Sequence, residues 1–308
     1  MCAVPKRSSA FVCLGVTSAL ALLLTACGGG SVPKKDSTEY AKVVSAFYIG
    51  LGALQVGDDI HAESNLSAVT QMASGEPAGW ANYGVLALRQ RKLDDAAQRM
   101  ERARKLAPDN DRIYQILGYL ESGRGNSAAA ITDWRKAVEL NPKNYRAAYQ
   151  LAEEVERQAG PNSDAEFEQL IQKILAAQPD NLAAQLELLR IAAKSGDAAT
   201  VKSALAKVTA RSTNWPPEVN AQLAALQAAA DGSNVKPAAT RTVFLRNTLM
   251  RVAEFRESLA VLKAPAGEEA EPFTHFLKMA TPDFSPAPAD RKWSQSVPSR
   301  SAGPRCAL

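Results

Sequence analysis

Three apolar helical stretches of this chain end in the same way. Pro108-Asp109-Asn110, Pro142-Lys143-Asn144 and Pro179-Asp180-Asn181 stand 34 and then 37 residues apart. A proline lacks the N–H that a helix interior needs, so each triplet closes one helix and clears the way for the next. A chain punctuated at so regular an interval folds as stacked copies of one small unit, each of which covers its apolar face only against its neighbours. Between the breaks Ala, Leu, Gln, Glu, Arg and Lys predominate, with apolar residues at helical rather than alternating spacing. Residues 37–215 are therefore predicted to be helical repeats, and the 46% of apolar residues in the 308-residue chain is ample for a packed core.

Aligned on the prolines, one unit carries Trp80, Gly84, Ala96, Ala103 and Pro108, and the next Tyr114, Leu117, Gly118, Ala130, Trp134, Ala137 and Pro142. This pattern resembles the tetratricopeptide repeat: a bulky residue, a Leu-Gly pair, two alanines flanking an aromatic, then proline. The resemblance implies an all-α solenoid of antiparallel helix pairs. Gly84, Gly118, Ala96 and Ala130 would admit the close approach of two helices, Met100 and Trp134 would fill the gap between hairpins, and Ala103 and Ala137 would receive the next unit. More degenerate units flank these two. Residues 45–78 keep Tyr48, Leu51, Gly52, Ala68 and Pro77; residues 145–181 keep Ala148, Leu151 and Ala152, with a turn lengthened by Gly160-Pro161-Asn162; residues 182–215 keep Leu188, Ala192 and Leu205. Two further helices, Pro217 to Ala230 and Ala238 to Leu262, make 216–263 a C-terminal cap over the last repeat.

The ends read differently. Residues 1–26 run from Lys6 and Arg7 into an apolar stretch, the layout of an export signal. Leu24-Thr25-Ala26-Cys27 resembles the bacterial lipobox, which implies cleavage before Cys27, lipidation of its thiol and a protein held on the bacterial envelope, at the outer membrane in a Gram-negative host. Residues 27–36, opening with three glycines, are predicted to be a flexible tether. The other cysteines, Cys2, Cys13 and Cys306, leave no intramolecular disulfide possible after such processing. From 264 to 308 acidic, Gly- and Pro-rich composition predicts a linker and a disordered tail. Export signal, repeats and linker in that order also resemble the N-terminal part of larger bacterial proteins that continue into FG-GAP/VCBS β-propeller and UnbV/ASPIC modules, of which no residue is visible here.

Little in the sequence points to chemistry. His61 and His275 belong to different regions and neither opens a metal-ligand motif; no nucleophile elbow or phosphate loop occurs. The chain therefore reads as non-catalytic, with no metal and no cofactor. Thirty-six basic against 32 acidic residues give no field that would favour nucleic acid. What a solenoid of hairpins does offer is a concave groove lined by the first helix of each unit. Repeat alignment places Arg112, Gln115, Tyr119, Arg146, Tyr149, Glu153 and Arg190 on that surface. Mixed aromatic and basic residues suit a protein or peptide partner with apolar and acidic parts, although Tyr119 and Tyr149 could equally pack within the array. In the chaperone-binding branch of the family a Lys/Asn clamp grips a terminal carboxylate; Ala81, Asn82 and Val85 at the matching places imply that this clamp is absent. Two functions stay open: a membrane-anchored interaction scaffold, or a helical stalk positioning a downstream module.

Overall fold

The computed structural model describes residues 31–265 and 267–282. The expected export signal, Cys27 and the stretch from 283 to 308 lie outside these residues. Five antiparallel hairpins follow one another: α1 (Thr38–Val56) with α2 (Asp59–Met72), α3 (Pro77–Arg89) with α4 (Leu93–Leu106), α5 (Asp111–Gly123) with α6 (Ser127–Leu140), α7 (Tyr145–Gln158) with α8 (Ser163–Ala177), and α9 (Leu182–Ser195) with α10 (Ala198–Thr209). After a short 3₁₀ turn, Ser212–Asn214, come α11 (Pro217–Ala230), α12 (Pro237–Leu249) and α13 (Ala253–Leu262). Among the described residues none of these helices is long and apolar enough to cross a membrane.

The recurring Pro-x-Asn triplet has a double role. Its proline lies just beyond the preceding helix, and its asparagine caps the next: Asn110, Asn144 and Asn181 accept from the backbone N–H of Ile113, Ala147 and Ala184. Each cap satisfies a donor that the first helical turn cannot. The small residues sit where two helices cross. A Cβ added to Gly118 would lie 2.4 Å from Trp134 Nε1, and one on Gly84 2.8 Å from Met100 Sδ. Ala96, Ala103, Ala130 and Ala137 are wholly buried, and the Trp134 indole donates to the Gln115 carbonyl at 3.1 Å. Pro108 and Pro142 remain exposed, with the Tyr114 hydroxyl donating to the Pro108 carbonyl. Trp80, half-buried, donates its indole N–H to the Ser74 carbonyl before its own helix pair.

Ser37 caps α1 by accepting from the Tyr40 N–H, while Asp36 takes a left-handed φ of 70° to turn the chain into the helix. Two details depart from the sequence reading. The predicted tether is fixed at Ser31, whose N–H donates to Ser74 and whose carbonyl accepts from Gly75. The long helix expected from Ala238 to Leu262 breaks at Met250–Val252, where Val252 is extended. Its halves bury different faces, α12 packing on α9 and α11 and α13 on α9 and α7, which one straight rod could not do. Thr248 marks the break by returning its hydroxyl to the Leu245 carbonyl.

Candidate functional site: an occupied groove

Odd-numbered helices line the inner face, and the chain itself lies along that face. Over the last two units α12 and α13 turn back onto α7 and α9. Over the first three, residues 271–280 run across α5, α3 and α1 without forming a helix. Composition reads this stretch as linker; in the structure Phe273, Phe276 and Met279 are buried at 2%, 6% and 6% exposure, while Thr274, His275, Leu277 and Lys278 face solvent. Three apolar side chains spaced by three on an irregular backbone supply the burial that the Gly-, Glu- and Pro-rich surroundings conceal.

The contacts to this stretch are mostly to its main chain. Glu76, fully buried at the start of α3, accepts from the N–H groups of Leu277, Lys278 and Met279 at 2.7 to 2.9 Å and from its own helix at Ala78. Asn82, also fully buried, accepts from the Phe273 N–H at 2.6 Å and donates to the Phe273 carbonyl at 2.8 Å, pairing with the peptide as a neighbouring strand would. The Tyr40 hydroxyl donates to the Ala280 carbonyl at 2.7 Å. Arg112 donates to the carbonyls of Glu271 and Pro272 and lays its guanidinium 4.5 Å from the centre of the Phe273 ring. Phe276 packs on Phe47, ring centres 4.3 Å apart, with Tyr48 edge-on at 6.0 Å. Arg146 pairs with the Glu271 carboxylate at 2.6 Å. Burial draws the Arg112 pKa below its ordinary value, and the nearby Glu271 charge opposes that shift.

Gain and cost nearly cancel for this stretch. Its three buried apolar side chains contribute about 2 kcal/mol each, and its eight hydrogen bonds to the helices about 1 kcal/mol each. Ordering about ten residues costs roughly 1.5 kcal/mol apiece. The stretch is thus held far more lightly than the helices beneath it. Nor does it fill the groove: about 880 Å³ stays open between it and the C-terminal ends of α1, α3 and α5, lined by Leu54, Val85, Leu88, Arg89 and Tyr119.

The seven residues expected on the groove divide into two groups. Arg112, Gln115 and Arg146 come together with Glu271 around a cleft of about 300 Å³ between the N-terminal ends of α5 and α7. Tyr119 borders the larger cavity with its ring edge-on to Trp134, and its buried hydroxyl has no hydrogen-bond partner among the described residues; burial pushes its pKa up to about 12. The rest are engaged by the C-terminal segment or by carboxylates of α7 and α9. Tyr149 is buried beneath α12, its hydroxyl 3.4 Å from both Glu187 and Arg246, and burial with the Glu187 charge raises its pKa. Glu153 pairs with Lys263 at 2.9 Å. Arg190 bridges Glu156 and Glu187; burial works against its charge, but these two carboxylates raise its pKa overall. Alignment could place these side chains on the first helices but could not foresee that the cap would fold back over them.

Glu76, Asn82, Tyr40 and Phe47 escaped sequence reasoning. Pro77, aligned as the closing proline of the first unit, instead opens α3 with Glu76 as its cap, and the second set of acceptor bonds of Glu76 has no sequence signature. Asn82 stood in the alignment only as a departure from the carboxylate clamp. Among the described residues no group of three or more His, Cys, Asp or Glu side chains is placed to hold a metal ion; His61 instead contacts Asp58, the cap of its own helix, at 2.6 Å.

No family model matches the chain, and a search of curated proteins finds no match. Solved structures do match. The PilF protein of Pseudomonas aeruginosa superposes with a TM-score of 0.51 at 15% identity, over 73% of this chain and 99% of that one. This is a tetratricopeptide-like helical solenoid. The MamA protein aligns with a TM-score of 0.49 at 17% identity over 57% of this chain and 96% of that one. YrrB, described as a tetratricopeptide protein with an unusual peptide-binding site, aligns at 0.45 and 15% identity over 55% of this chain and 87% of its own.

Proposed function

We propose that this chain is a non-catalytic interaction scaffold that takes an extended segment of another protein along its concave face, and that a lipid on Cys27 holds it to the bacterial envelope. The observation that carries the reading is the pair of buried polar residues Glu76 and Asn82, which hold the main chain of a non-helical segment in the groove. Main-chain recognition with pockets for spaced side chains is how extended peptides are bound in general. A stalk that merely positioned another module would need no such groups on its inner face, so the scaffold is favoured over the stalk.

The binding half is tested by capture from detergent-solubilised envelope with the tagged chain, using the Asn82→Ala/Arg112→Glu double variant as control. A partner retained by the unaltered chain and lost by the folded variant supports the reading; equal recovery by both removes the groove from it. Cys27→Ser tests the anchor. Labelled palmitate should enter the unaltered chain and not the variant; label in the variant, or in neither chain, refutes lipid anchoring at Cys27.

A further inference from the structure

We propose, resting on the groove reading above, that residues 271–280 are a tethered stand-in for the partner: the groove's ligand is a non-helical segment with a carboxylate two residues before the first of three large apolar side chains set three apart, and it binds by displacing this stretch. Glu271, Phe273, Phe276 and Met279 supply that pattern in cis. The three apolar residues are buried between exposed neighbours on an irregular, non-helical backbone that bends at 275 and 277–279, so a spacing of three on that bent path is what the groove reads. Specificity then divides cleanly. Glu76, Asn82, Arg112 and Tyr40 hold backbone atoms that every peptide has, while the Phe47 and Tyr48 rings, the Arg112 guanidinium face and Arg146 read side chains and charge.

The same groups argue for a reversible contact. A permanent seam is best made apolar, because buried polar groups give back in desolvation much of what they gain. Here the inner face carries a carboxylate, an amide and two guanidiniums, all of which water can serve when the stretch leaves. An emptied groove therefore leaves no orphaned charge, and the nearly balanced energetics of the stretch allow the exchange. The open volume beside it gives room for an occupant bulkier than the stand-in.

Competition by the tether sets the expected size of the effect. A segment joined to α13 by a few residues has an effective concentration on the order of 1 mM, so a peptide that binds the open groove at ~10 μM is weakened roughly hundredfold by it. The test uses a fluorescein-labelled synthetic peptide of residues 267–282, titrated into the mature full chain and into the same chain carrying Phe273→Ala, Phe276→Ala and Met279→Ala. These changes alter the stand-in and leave every groove residue in place. Binding about a hundredfold tighter to the released chain, abolished when the peptide carries the same three alanines, is the result expected. Equal binding to both chains would show that the stretch does not compete, and binding indifferent to the three apolar side chains would remove the ligand pattern; either overturns the inference while leaving a binding groove. A released chain with unchanged circular dichroism that takes no peptide at all removes the groove reading itself. Should the triple variant unfold, a site-specific protease sequence placed between Ala264 and Glu268, cut after folding, replaces it. Exchange of the cut stretch for labelled peptide supports the proposal, and a cut stretch that excess peptide cannot replace refutes it.

Discussion

The two central hairpins and the stretch that lies in their groove are built on opposite principles. Between α3 and α6 the contacts join sequence neighbours through apolar surfaces with no spare volume: Gly118 against Trp134, Gly84 against Met100, buried alanines at each crossing. Residues 271–280 are held mainly by polar groups whose partners lie from 125 to 240 residues away in the chain. The first arrangement resists any change of volume, because interiors are packed as densely as organic crystals. The second tolerates separation, because each of its polar groups can exchange its partner for water. Rigidity of the scaffold and detachability of its occupant thus follow from which kind of group faces which.

Experiments can break this comparison, and the largest effect is expected in the hairpins. Gly118→Val should destabilise the whole array by about 3 kcal/mol or more, since even the first added carbon would overlap the Trp134 ring; urea unfolding followed by circular dichroism measures it. Gly84→Ala should cost well under half as much, because the Met100 side chain it meets is flexible. A loss below 1 kcal/mol at Gly118 would mean that the crossing is slack.

Glu76→Gln should act on the occupant and spare the array. An amide has one acceptor oxygen where the carboxylate has two, and its NH₂ would face main-chain donors, a cost of about 2 kcal/mol. Amide exchange at Leu277, Lys278 and Met279 should quicken about thirtyfold while the melting temperature stays within a degree or two. If the helices of α3 and α5 exchange faster in step, the stretch belongs to the cooperative fold and the contrast fails.

The smallest effect separates the electrostatics of the repeats from those of the groove. Asp133 on α6 has its pKa raised to about 6, by burial first and then by the Glu121 charge, from an ordinary 3.8. The folded form therefore binds the extra proton between roughly pH 4 and 6, and stability falls as pH rises through that window. Asp133→Asn should stabilise the chain by about 1 kcal/mol at pH 7, allowing for solvent screening, and by nothing at pH 4. Thermal melts at the two pH values check it, and a gain independent of pH would assign the effect to packing.

The repeat period was legible in the residues because each unit encodes its own boundaries. Asn110, Asn144 and Asn181 cap the helices that the spacing predicts, and Gly118 with Trp134 records a crossing that is local in sequence. The groove was only half legible. Repeat alignment brings Arg112 and Arg146 to one surface, but Glu76 and Asn82 look like a cap and a mismatch until their partners are known. Residues 271–280 look like linker because the Gly- and Glu-rich segment before them and the Pro-rich segment after them set the composition of the region, and three apolar residues three apart are too short a run to establish a helix.

From the sequence alone came the all-helical class, the hairpin period and the residues that let helices approach, since all of these rest on interactions within some forty residues of one another. Only the tertiary structure decided that α12 folds back over Tyr149, that α13 packs on α7 and α9, and that residues 271–280 enter the groove. Those contacts join distant parts of the chain through main-chain hydrogen bonds, and a main-chain donor or acceptor is the same for nearly every residue and leaves no mark in the sequence.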